Sequence, residues 1–376
     1  MTRSVWDIAV QQNKAKPVQY NTENTIIFAG NKESGKSSII NQFLEKDETP
    51  KATLALDYTF GRKGAGNHLT RAVSHIWELG GGLKLSDLID VLITPNNILN
   101  LHLILAIDLS KPTELWDTVD TLLKSASIRI DQILKRLRQR NITHIQNTLN
   151  ENLQKRISST HPDVQLLKPF PLSLTFLGTK YDLFMASDIE QILIFKALNT
   201  EQQDLICKTL RFLSHYYGAS VYFSSIKEGE LLKKTKAMLN HIAFGGRGTC
   251  SVQIDTGKPL AIPVGVDSFS NIGTPPNTDM EIGRLIAKSP LEMWKNVFCS
   301  KFPQKYTPTS LGGGIAHSLT DVYNPTKDPQ YSEPLIDAAR KAKMMNWKVN
   351  AVKMNEICTT YYNKSHQKVY LSLESM

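Results

Sequence analysis

Residues 25–44 read TIIFAGNKESGKSSIINQFL, an apolar run, a glycine-bounded loop and an amphipathic segment in direct succession. The loop, residues 30–37, matches GxxxxGK[ST] at every fixed position. Glycines at this spacing let the backbone curl with its N–H groups pointing inward, and a helix that begins beside the loop adds the positive end of its dipole. The stretch therefore predicts a buried strand, a phosphate-binding loop (P-loop) and a helix.

The last two residues of the predicted loop, Lys36 and Ser37, are the ones expected to contact phosphate and metal. We expect the Lys36 ammonium to bridge the outer phosphates of a nucleotide and the Ser37 hydroxyl to ligate Mg²⁺. The predicted phosphate-binding residues are Gly30, Asn31, Lys32, Glu33, Ser34, Gly35, Lys36 and Ser37. The ligand would be GTP, GDP or ATP with Mg²⁺, and a loop that keeps the fold but binds no nucleotide remains an open alternative.

Strand and helix signals alternate from residue 24 to about 245. After the first strand and helix, apolar runs predict strands at 72–79, 101–109, 172–178 and 219–224, and helical periodicity predicts helices at 204–217 and 231–244. The run LHLILAIDL at 101–109 is nearly continuous, as expected of a parallel strand buried on both faces. Alternation of this kind predicts an α/β fold with a mostly parallel sheet.

Composition divides the chain into three predicted parts. Residues 1–245 are predicted to form the P-loop domain, with a helical insertion at about 113–165. Residues 246–333 are rich in glycine and proline and predict an extended arm. Residues 334–376 begin with an apolar seam at spacings of three and four, which predicts a helical segment that packs on the domain or on a partner chain.

Two short segments resemble the guanine-binding elements of Ras-like GTPases. GTKYD at 178–182 follows a buried strand and is similar to the NKxD element, with Thr179 in place of asparagine. The resemblance assigns Asp182 to the guanine edge and Lys180 to the face of the base. Ser225 occupies the place of the loop that backs the base, so the predicted base-binding residues are Thr179, Lys180, Asp182 and Ser225. Without the P-loop, a strand-end turn would explain these residues as well.

The segments that sense the third phosphate depart from the GTPase pattern. Thr53 resembles the Mg²⁺-sensing threonine of the first switch, and no metal other than Mg²⁺ is expected. In WELGGG, Glu78 stands in place of the aspartate of DxxG and Gly81 in place of its glycine. Gly82 replaces the glutamine that orients the attacking water, and glycine has no side chain for that purpose. We therefore predict little or no hydrolysis, because GTPase chemistry is mostly positioning and charge stabilisation.

The net charge of +9 does not by itself indicate a nucleic-acid partner. The basic residues are spread thinly, and no nucleic-acid-binding motif accompanies them. No run approaches the roughly 20 apolar residues that span a bilayer, and the four cysteines form no metal-binding pattern. We predict a cytoplasmic protein that binds neither nucleic acid nor membrane and meets acidic protein surfaces.

Longer strings resemble one family throughout roughly residues 5–300. These are GNKESGKSS, KATLALDYTFGRK, HIWELGGG, AIDLSKPTELWDT, FLGTKYDLF, CKTLRFLSHYYGASVYFSS and VDSFSNIGTPP. They are similar to the dynein light intermediate chains, and most similar to the subgroup that serves the second cytoplasmic dynein, the motor of retrograde intraflagellar transport. The resemblance identifies the fold as a Ras-like P-loop domain.

The resemblance implies a non-catalytic subunit that docks on the tail of the dynein 2 heavy chain, with the motor's other subunits as further partners and microtubules met only indirectly. It implies a location in the cytoplasm, cytoskeleton and cilium, at the basal body and axoneme. An active GTPase-like switch that regulates motor assembly is the alternative. A P-loop ATPase or small-molecule kinase is a third reading, but nothing in the chain resembles the lid arginines that such kinases use.

Overall fold

The computed structural model describes residues 23–65, 68–158, 160–185, 198–245, 251–275 and 289–304, and scattered positions between 334 and 345. The chain divides into two compact units, Met1–Thr307 and Pro308–Met376. In the second unit the described positions are helical, and Leu335 and Met345 are exposed there. The rest of the predicted C-terminal helical segment lies outside the described residues.

The first unit is built on a seven-stranded sheet with the order β2-β3-β1-β4-β5-β6-β7. The strands are β1 (Asn24–Gly30), β2 (Leu56–Ala65), β3 (His68–Leu79), β4 (Leu101–Asp108), β5 (Ser173–Thr179), β6 (Ser220–Phe223) and β7 (Ala261–Ile262). The pairs among β3, β1, β4, β5 and β6 are parallel. The two edge strands β2 and β7 pair antiparallel with their neighbours. The predicted α/β class with a mostly parallel sheet is confirmed.

Helices cover both faces of this sheet. They are α1 (Lys36–Phe43), α2 (Ile89–Leu92), α3 (Leu115–Gln139), α4 (His144–Arg156), α5 (Tyr181–Phe184), α6 (Thr200–Tyr216), α7 (Gly229–Phe244), α8 (Phe269–Ile272) and α9 (Pro290–Lys301). Short 3₁₀ turns lie at Gly82–Leu88, Ile98–Asn100 and Pro112–Glu114. None of the helices in the described part of the chain has the length and apolar character needed to cross a bilayer.

The side chains of β1 show how the two layers form. Successive side chains of a strand point to opposite faces, so a strand covered on both faces is apolar at every position. Ile27 and Ala29 belong to the larger core, which includes buried residues of α3 and α6. Ile26 and Phe28 belong to the smaller core with α1 and α7. The core therefore fixes β1 centrally, with its carboxyl end at the P-loop.

Two elements differ from the sequence prediction for local reasons. β2 is not apparent in the sequence, because its outer edge and one of its faces remain accessible and no apolar run marks it. The helix predicted at 204–217 begins earlier, at Thr200. There Asn199 and Gln202 form a capping box, each side chain bonding the other's backbone N–H. The polar first turn lies outside the apolar periodicity that predicted the helix.

The described part of the predicted arm packs on the domain itself. β7 extends the sheet beside β6, and α9 places Trp294 and Phe298 in the larger core. The Trp294 ring stacks on Phe212 of α6 at a centroid distance of 5.0 Å, and Phe298 lies 5.9 Å from Trp116 of α3. The first compact unit thus continues past residue 245, the predicted end of the domain, to Thr307. Residues 305–333 of the predicted arm lie outside the described residues.

Candidate functional site: the P-loop and its surroundings

The P-loop forms the bend between β1 and α1, and two of its glycines are required by geometry. A Cβ on Gly30 would lie 2.3 Å from the Ala106 carbonyl oxygen of the neighbouring strand. Gly35 opens α1 with a left-handed backbone, φ +84°, which residues with a side chain rarely adopt. The loop therefore has the strand-to-helix geometry that directs backbone N–H groups at a phosphate.

The Lys36 amine is held inside the loop. Its Nζ donates to the carbonyl oxygens of Gly30 at 3.2 Å and Asn31 at 2.8 Å, and to the Ser34 hydroxyl at 3.4 Å. The residue is 4% exposed. Burial lowers the pKa of Lys36 to about 8, against the opposing effect of the nearby Glu78 carboxylate. The loop's own oxygens thus satisfy the amine that the sequence assigns to phosphates.

Three oxygen-bearing side chains converge beside this amine. The Ser37 hydroxyl donates to Glu78 Oε1 at 2.8 Å, and the Thr53 hydroxyl bonds the same carboxylate. Burial raises the pKa of Glu78, while the bonds from Ser37 and Thr53 and the charge of Lys36 act in the opposite direction. The structure thus brings together the predicted Mg²⁺ ligands Ser37 and Thr53 and the switch residue Glu78.

This donor set fits the cation that the fold implies. Mg²⁺ prefers oxygen ligands and tolerates hydroxyls beside a carboxylate. A hydroxyl that donates its hydrogen to Glu78 still offers lone pairs, so Ser37 and Thr53 would hold the ion next to that carboxylate. Mg²⁺ bound there would neutralise phosphate charge. The extra methylene of Glu78, relative to aspartate, is accommodated because the carboxylate reaches both hydroxyls.

The segment after β3 lies directly against the P-loop. Gly82 has φ +64°, and a Cβ on it would lie 3.2 Å from the Lys32 amide nitrogen and 3.3 Å from Asn31 Oδ1. Gly81 has φ +71°, and its Cβ would lie 2.3 Å from Leu85. The backbone conformation therefore favours glycine at both positions, and a side chain at either would crowd its neighbours. A glutamine at position 82 would not fit here without movement of the loop.

The first switch threonine is also held closely. A Cβ on Gly80 would lie 2.4 Å from the Thr53 carbonyl oxygen, and the Gly80 amide donates to the Ala55 carbonyl at 2.7 Å. These contacts place the segment before β2 on the end of β3. Thr53 is thus held on the end of β3 by backbone packing and by the bond from its hydroxyl to Glu78.

The outer side of the P-loop is fastened to the start of α3. The Asn31 side-chain amide donates to Glu114 Oε2 at 3.0 Å and to the Thr118 hydroxyl at 2.9 Å. Lys111 pairs with the exposed Glu33 at 3.6 Å. The Asn31 side chain thus ties the loop to the start of α3, and Glu33 makes an exposed ion pair with the segment that follows β4.

The predicted base-binding residues gather at the same edge of the sheet. The Thr179 hydroxyl donates to the Ile107 carbonyl at 3.1 Å, and its Cβ lies 3.9 Å from a Cβ built on Gly35. Lys180 has a left-handed backbone, and its Nζ donates to Asp108 Oδ2 at 2.7 Å.

Asp182 and Ser225 are brought into direct contact. The Ser225 hydroxyl donates to Asp182 Oδ1 at 2.8 Å, and Lys227 pairs with Oδ2 of the same carboxylate at 3.3 Å. A guanine edge at Asp182 would have to replace these bonds. The site therefore has the residue types of a base-binding site, but Ser225 and Lys227 already bond the Asp182 carboxylate that would accept from guanine.

Four residues that the sequence reading missed complete the site: Asp108, Glu114, Thr118 and Lys227. Asp108 carried a readable signal, since it ends a buried strand whose carboxyl end lies at the ligand edge of an open α/β sheet. Glu114 and Thr118, at the start of α3, and Lys227, in the loop after β6, carried no such signal. They reach the site only through the tertiary packing of these elements.

A second polar cluster lies away from the P-loop, between α6 and the segment that leads into α8. His161, Asp163 and His215 have the composition of a metal site. However, both ring nitrogens of His161 are engaged, by the Asp163 amide at 3.2 Å and the Asp267 carbonyl at 3.0 Å. Asp163 Oδ2 bonds His215 Nε2 and accepts from the Phe269 amide, each at 2.9 Å. This cluster is a structural junction.

A buried ion pair completes that junction. The Arg211 guanidinium donates two hydrogen bonds of 2.8 Å to the Asp267 carboxylate. Both residues are buried, so each charge depends on the other. The Asp163 carboxylate and the Arg211–Asp267 pair thus attach the segment after β7 to α6.

The chain is similar to known proteins over most of its length. The profile of the family described as dynein light intermediate chain (DLIC) matches residues 4–167. Cytoplasmic dynein 2 light intermediate chain 1 of Danio rerio is 38% identical over 352 residues, covering 90% of this chain and 92% of that protein. The protein of the same name from Homo sapiens is 37% identical over 349 residues, covering 91% of this chain and 93% of that protein.

A solved structure shares the fold. It is described as the crystal structure of the dynein light intermediate chain's conserved domain. It aligns with a TM-score of 0.50 and 14% sequence identity, covering 73% of this chain and 97% of that chain. The alignment supports the Ras-like P-loop assignment of the fold.

Proposed function

Because the chain belongs to the dynein light intermediate chain family, we propose that it is a non-catalytic subunit of the cytoplasmic dynein 2 motor. In this role it binds and stabilises the heavy-chain tail for retrograde intraflagellar transport and cilium assembly. Motor ATPase activity belongs to the heavy chain, and the subunit meets microtubules only through the assembled motor. Its location is the cytoplasm, the cytoskeleton and the cilium, including basal body and axoneme.

The observation that carries the motor assignment is the similarity to dynein 2 light intermediate chains over nine tenths of the chain. The non-catalytic part is supported by Gly82, whose backbone lies against the P-loop and which offers no group to position a water. Loss of one positioning group in a GTPase lowers the rate by orders of magnitude.

Co-purification from ciliated cells tests this proposal. The tagged full-length chain should recover the dynein 2 heavy chain together with other motor subunits, and the tag alone should recover neither. A second test is depletion of the chain, which should lower the amount of heavy chain, since a subunit that binds the folded tail stabilises it. A chain that remains monomeric and recovers no heavy chain would contradict the proposal.

A nucleotide-binding role is a second candidate, favoured by the convergence of Ser37, Thr53 and Glu78 beside the intact P-loop. In one form GTP, GDP or ATP with Mg²⁺ is a permanent ligand that stabilises the domain. In the other form the bound nucleotide switches motor assembly. The non-catalytic subunit role proposed first requires no bound nucleotide. The Lys36 amine already donates its hydrogen bonds to carbonyl oxygens of the loop itself.

Mass spectrometry of small molecules released from the assembled complex separates these forms. A guanine or adenine nucleotide that never turns over identifies a structural ligand, and turnover identifies a switch. Release of no nucleotide, with unchanged heavy-chain recovery by Lys36→Ala, leaves the P-loop as a structural element only. Lys124→Ala, on the exposed face of α3, is the matched control for loss of one positive charge.

A further inference from the structure

One face of the β2–β3 hairpin carries aromatic side chains that the domain leaves accessible. Tyr58 and Phe60 lie two residues apart on β2 and are each 45% exposed. Trp77 is the cross-strand partner of Tyr58, with ring centroids 4.7 Å apart, and His75 is the partner of Phe60. We call these four residues the aromatic face.

The opposite face of the same hairpin is covered by the domain. A Cβ on Gly61 would lie 3.2 Å from the ring of Phe244 in α7, and the Lys63 ammonium lies 6.0 Å above that ring. The Trp77 contact explains part of the aromatic face as ordinary cross-strand packing. It does not explain why about half of both β2 rings stays in water, since contiguous exposed apolar groups are uncommon outside interaction sites.

The charges beside the aromatic face define what it can receive. The Arg62 guanidinium lies 4.7 Å from the centre of the Phe60 ring and is exposed. His75 is hydrogen-bonded to the Tyr58 hydroxyl at 2.7 Å and to the Glu23 carboxylate at 3.0 Å, so the exposed Glu23 carboxylate is already engaged by the imidazole. Among the described residues no carboxylate forms a salt bridge with Arg62. Glu23 is held by His75, so Arg62 is the charged group at this face that remains available to a carboxylate of a partner.

We propose that the aromatic face is a docking surface for an acidic, amphipathic segment of the heavy-chain tail. This inference rests on the proposed function. The segment places apolar side chains over Tyr58 and Phe60, and a carboxylate of the same segment pairs with Arg62. Large aromatic side chains bury about 150–250 Å² each and, with arginine, are the residue types that dominate binding energy at protein interfaces.

The chemistry argues against two other occupants. A second copy of this chain would bring another Arg62 to the same place if the interface were symmetric, and like charges would oppose each other. The N-terminal segment, residues 1–22, carries Lys14 and Lys16 in the stretch that leads to Glu23, and its charges match an acidic surface better than a basic one. An acidic, amphipathic partner offers apolar side chains to the rings and a carboxylate to Arg62.

The first test measures heavy-chain recovery by full-length variants. Tyr58→Ser with Phe60→Ser, and separately Arg62→Glu, should each weaken binding of the heavy chain by tenfold or more, as loss of central interface residues does. Thermal unfolding of each variant, measured alone, should show a folded chain, with only a small loss of stability from the cross-strand contacts of Tyr58. The controls are Val91→Ser with Ile128→Ser, two exposed apolar residues of α2 and α3, and Lys135→Glu on α3.

The second test identifies what covers the face. A photo-crosslinking amino acid at position 60 of the full chain, in the assembled motor, should form its main product with an acidic segment of the heavy chain. A product with residues 1–22 or with a second copy would overturn the inference. So would recovery of heavy chain by the aromatic and Arg62 variants equal to that of the controls. If the unmodified chain recovers no heavy chain, the proposed function fails first and this inference with it.

Discussion

The hydroxyl of Ser37, in the first turn of α1, donates a 2.8 Å hydrogen bond to the carboxylate of Glu78 at the end of β3. The Thr53 hydroxyl bonds the same carboxylate, which is 5% exposed. Glu78 therefore contacts the P-loop directly and links the Thr53 segment to it. A buried carboxylate depends on such donors, because desolvation otherwise disfavours its charge.

Removal of the Ser37 hydroxyl should destabilise the domain. We expect Ser37→Ala to lower the free energy of unfolding by about 1–3 kcal/mol, since it leaves a buried acceptor with one donor fewer. Chemical denaturation at neutral pH measures this. Ser38→Ala, the adjacent substitution on α1, is the control. In a double-mutant cycle with Glu78→Gln, additive effects would show that the two groups do not interact.

Lys36 should make stability depend on pH in the alkaline range. Its pKa in the folded chain is about 8, below the ordinary value of 10.5, so the unfolded chain binds the proton more strongly between these values. The free energy of unfolding should therefore rise with pH across that window, by up to about 3 kcal/mol. Lys36→Met should remove this rise, measured by denaturation at several pH values. The same slope in Lys36→Met and in the unmodified chain would contradict the assignment.

A side chain at position 82 should destabilise the domain. We expect Gly82→Ala to cost about 1–3 kcal/mol, because φ is +64° and the new Cβ would crowd the Lys32 amide and Asn31. Gly64→Ala is the control, since nothing lies within 4 Å of a Cβ at that position. Gly82→Gln should fail to restore GTP hydrolysis, measured by phosphate release. Rapid hydrolysis by that variant would show that the loop can open to place the glutamine.

The Arg211–Asp267 pair should hold the segment after β7 to α6. Asp267→Ala leaves the buried guanidinium unpaired, and we expect a loss of about 3–5 kcal/mol. Hydrogen exchange should increase first in residues 263–272. Asp255→Ala, whose carboxylate bonds only a local backbone amide in the described part of the chain, should change stability by less than about 1 kcal/mol. Equal exchange in the two variants would contradict the junction.

Trp294 should be essential to the domain although it lies beyond its predicted end. The side chain is 2% exposed and stacks on Phe212, so Trp294→Ala should cost about 3–5 kcal/mol. Lys295→Ala, at a neighbouring position of α9 whose side chain is exposed, is the control. Thermal unfolding measures both. A small effect of Trp294→Ala would mean that α9 is not part of the folded unit.

The parts of the fold that the sequence predicted are those with a local signal. The P-loop, the apolar strands and the long helices are readable because glycine spacing and side-chain periodicity act within a few residues. β2 was not predicted, because an edge strand with one accessible face needs no continuous apolar run. α9 was not predicted as part of the domain. Its apolar residues Trp294 and Phe298 do not reveal their packing partners, which are on the distant helices α3 and α6.

The candidate site divides in the same way. Lys36, Ser37 and Asp182 could be assigned from motifs, and the structure places them at one edge of the sheet. That Lys36 bonds its own loop, that Lys180 pairs with Asp108, and that Asn31 is tied to α3 could not be predicted. Each of these bonds joins residues from separate elements, and their spacing along the chain says nothing of their distance in space.

The sequence alone determined that this chain builds a phosphate-type loop on a parallel sheet and that position 82 has no side chain to orient water. Both follow from residue type and local spacing. Only the tertiary structure decided that Glu78 receives the hydroxyls of Ser37 and Thr53, that Gly82 lies against the loop, and that Tyr58 and Phe60 stay accessible. The physical reason is that burial and hydrogen-bond partnership depend on which elements the core brings together, and the core is assembled from contacts distant in sequence.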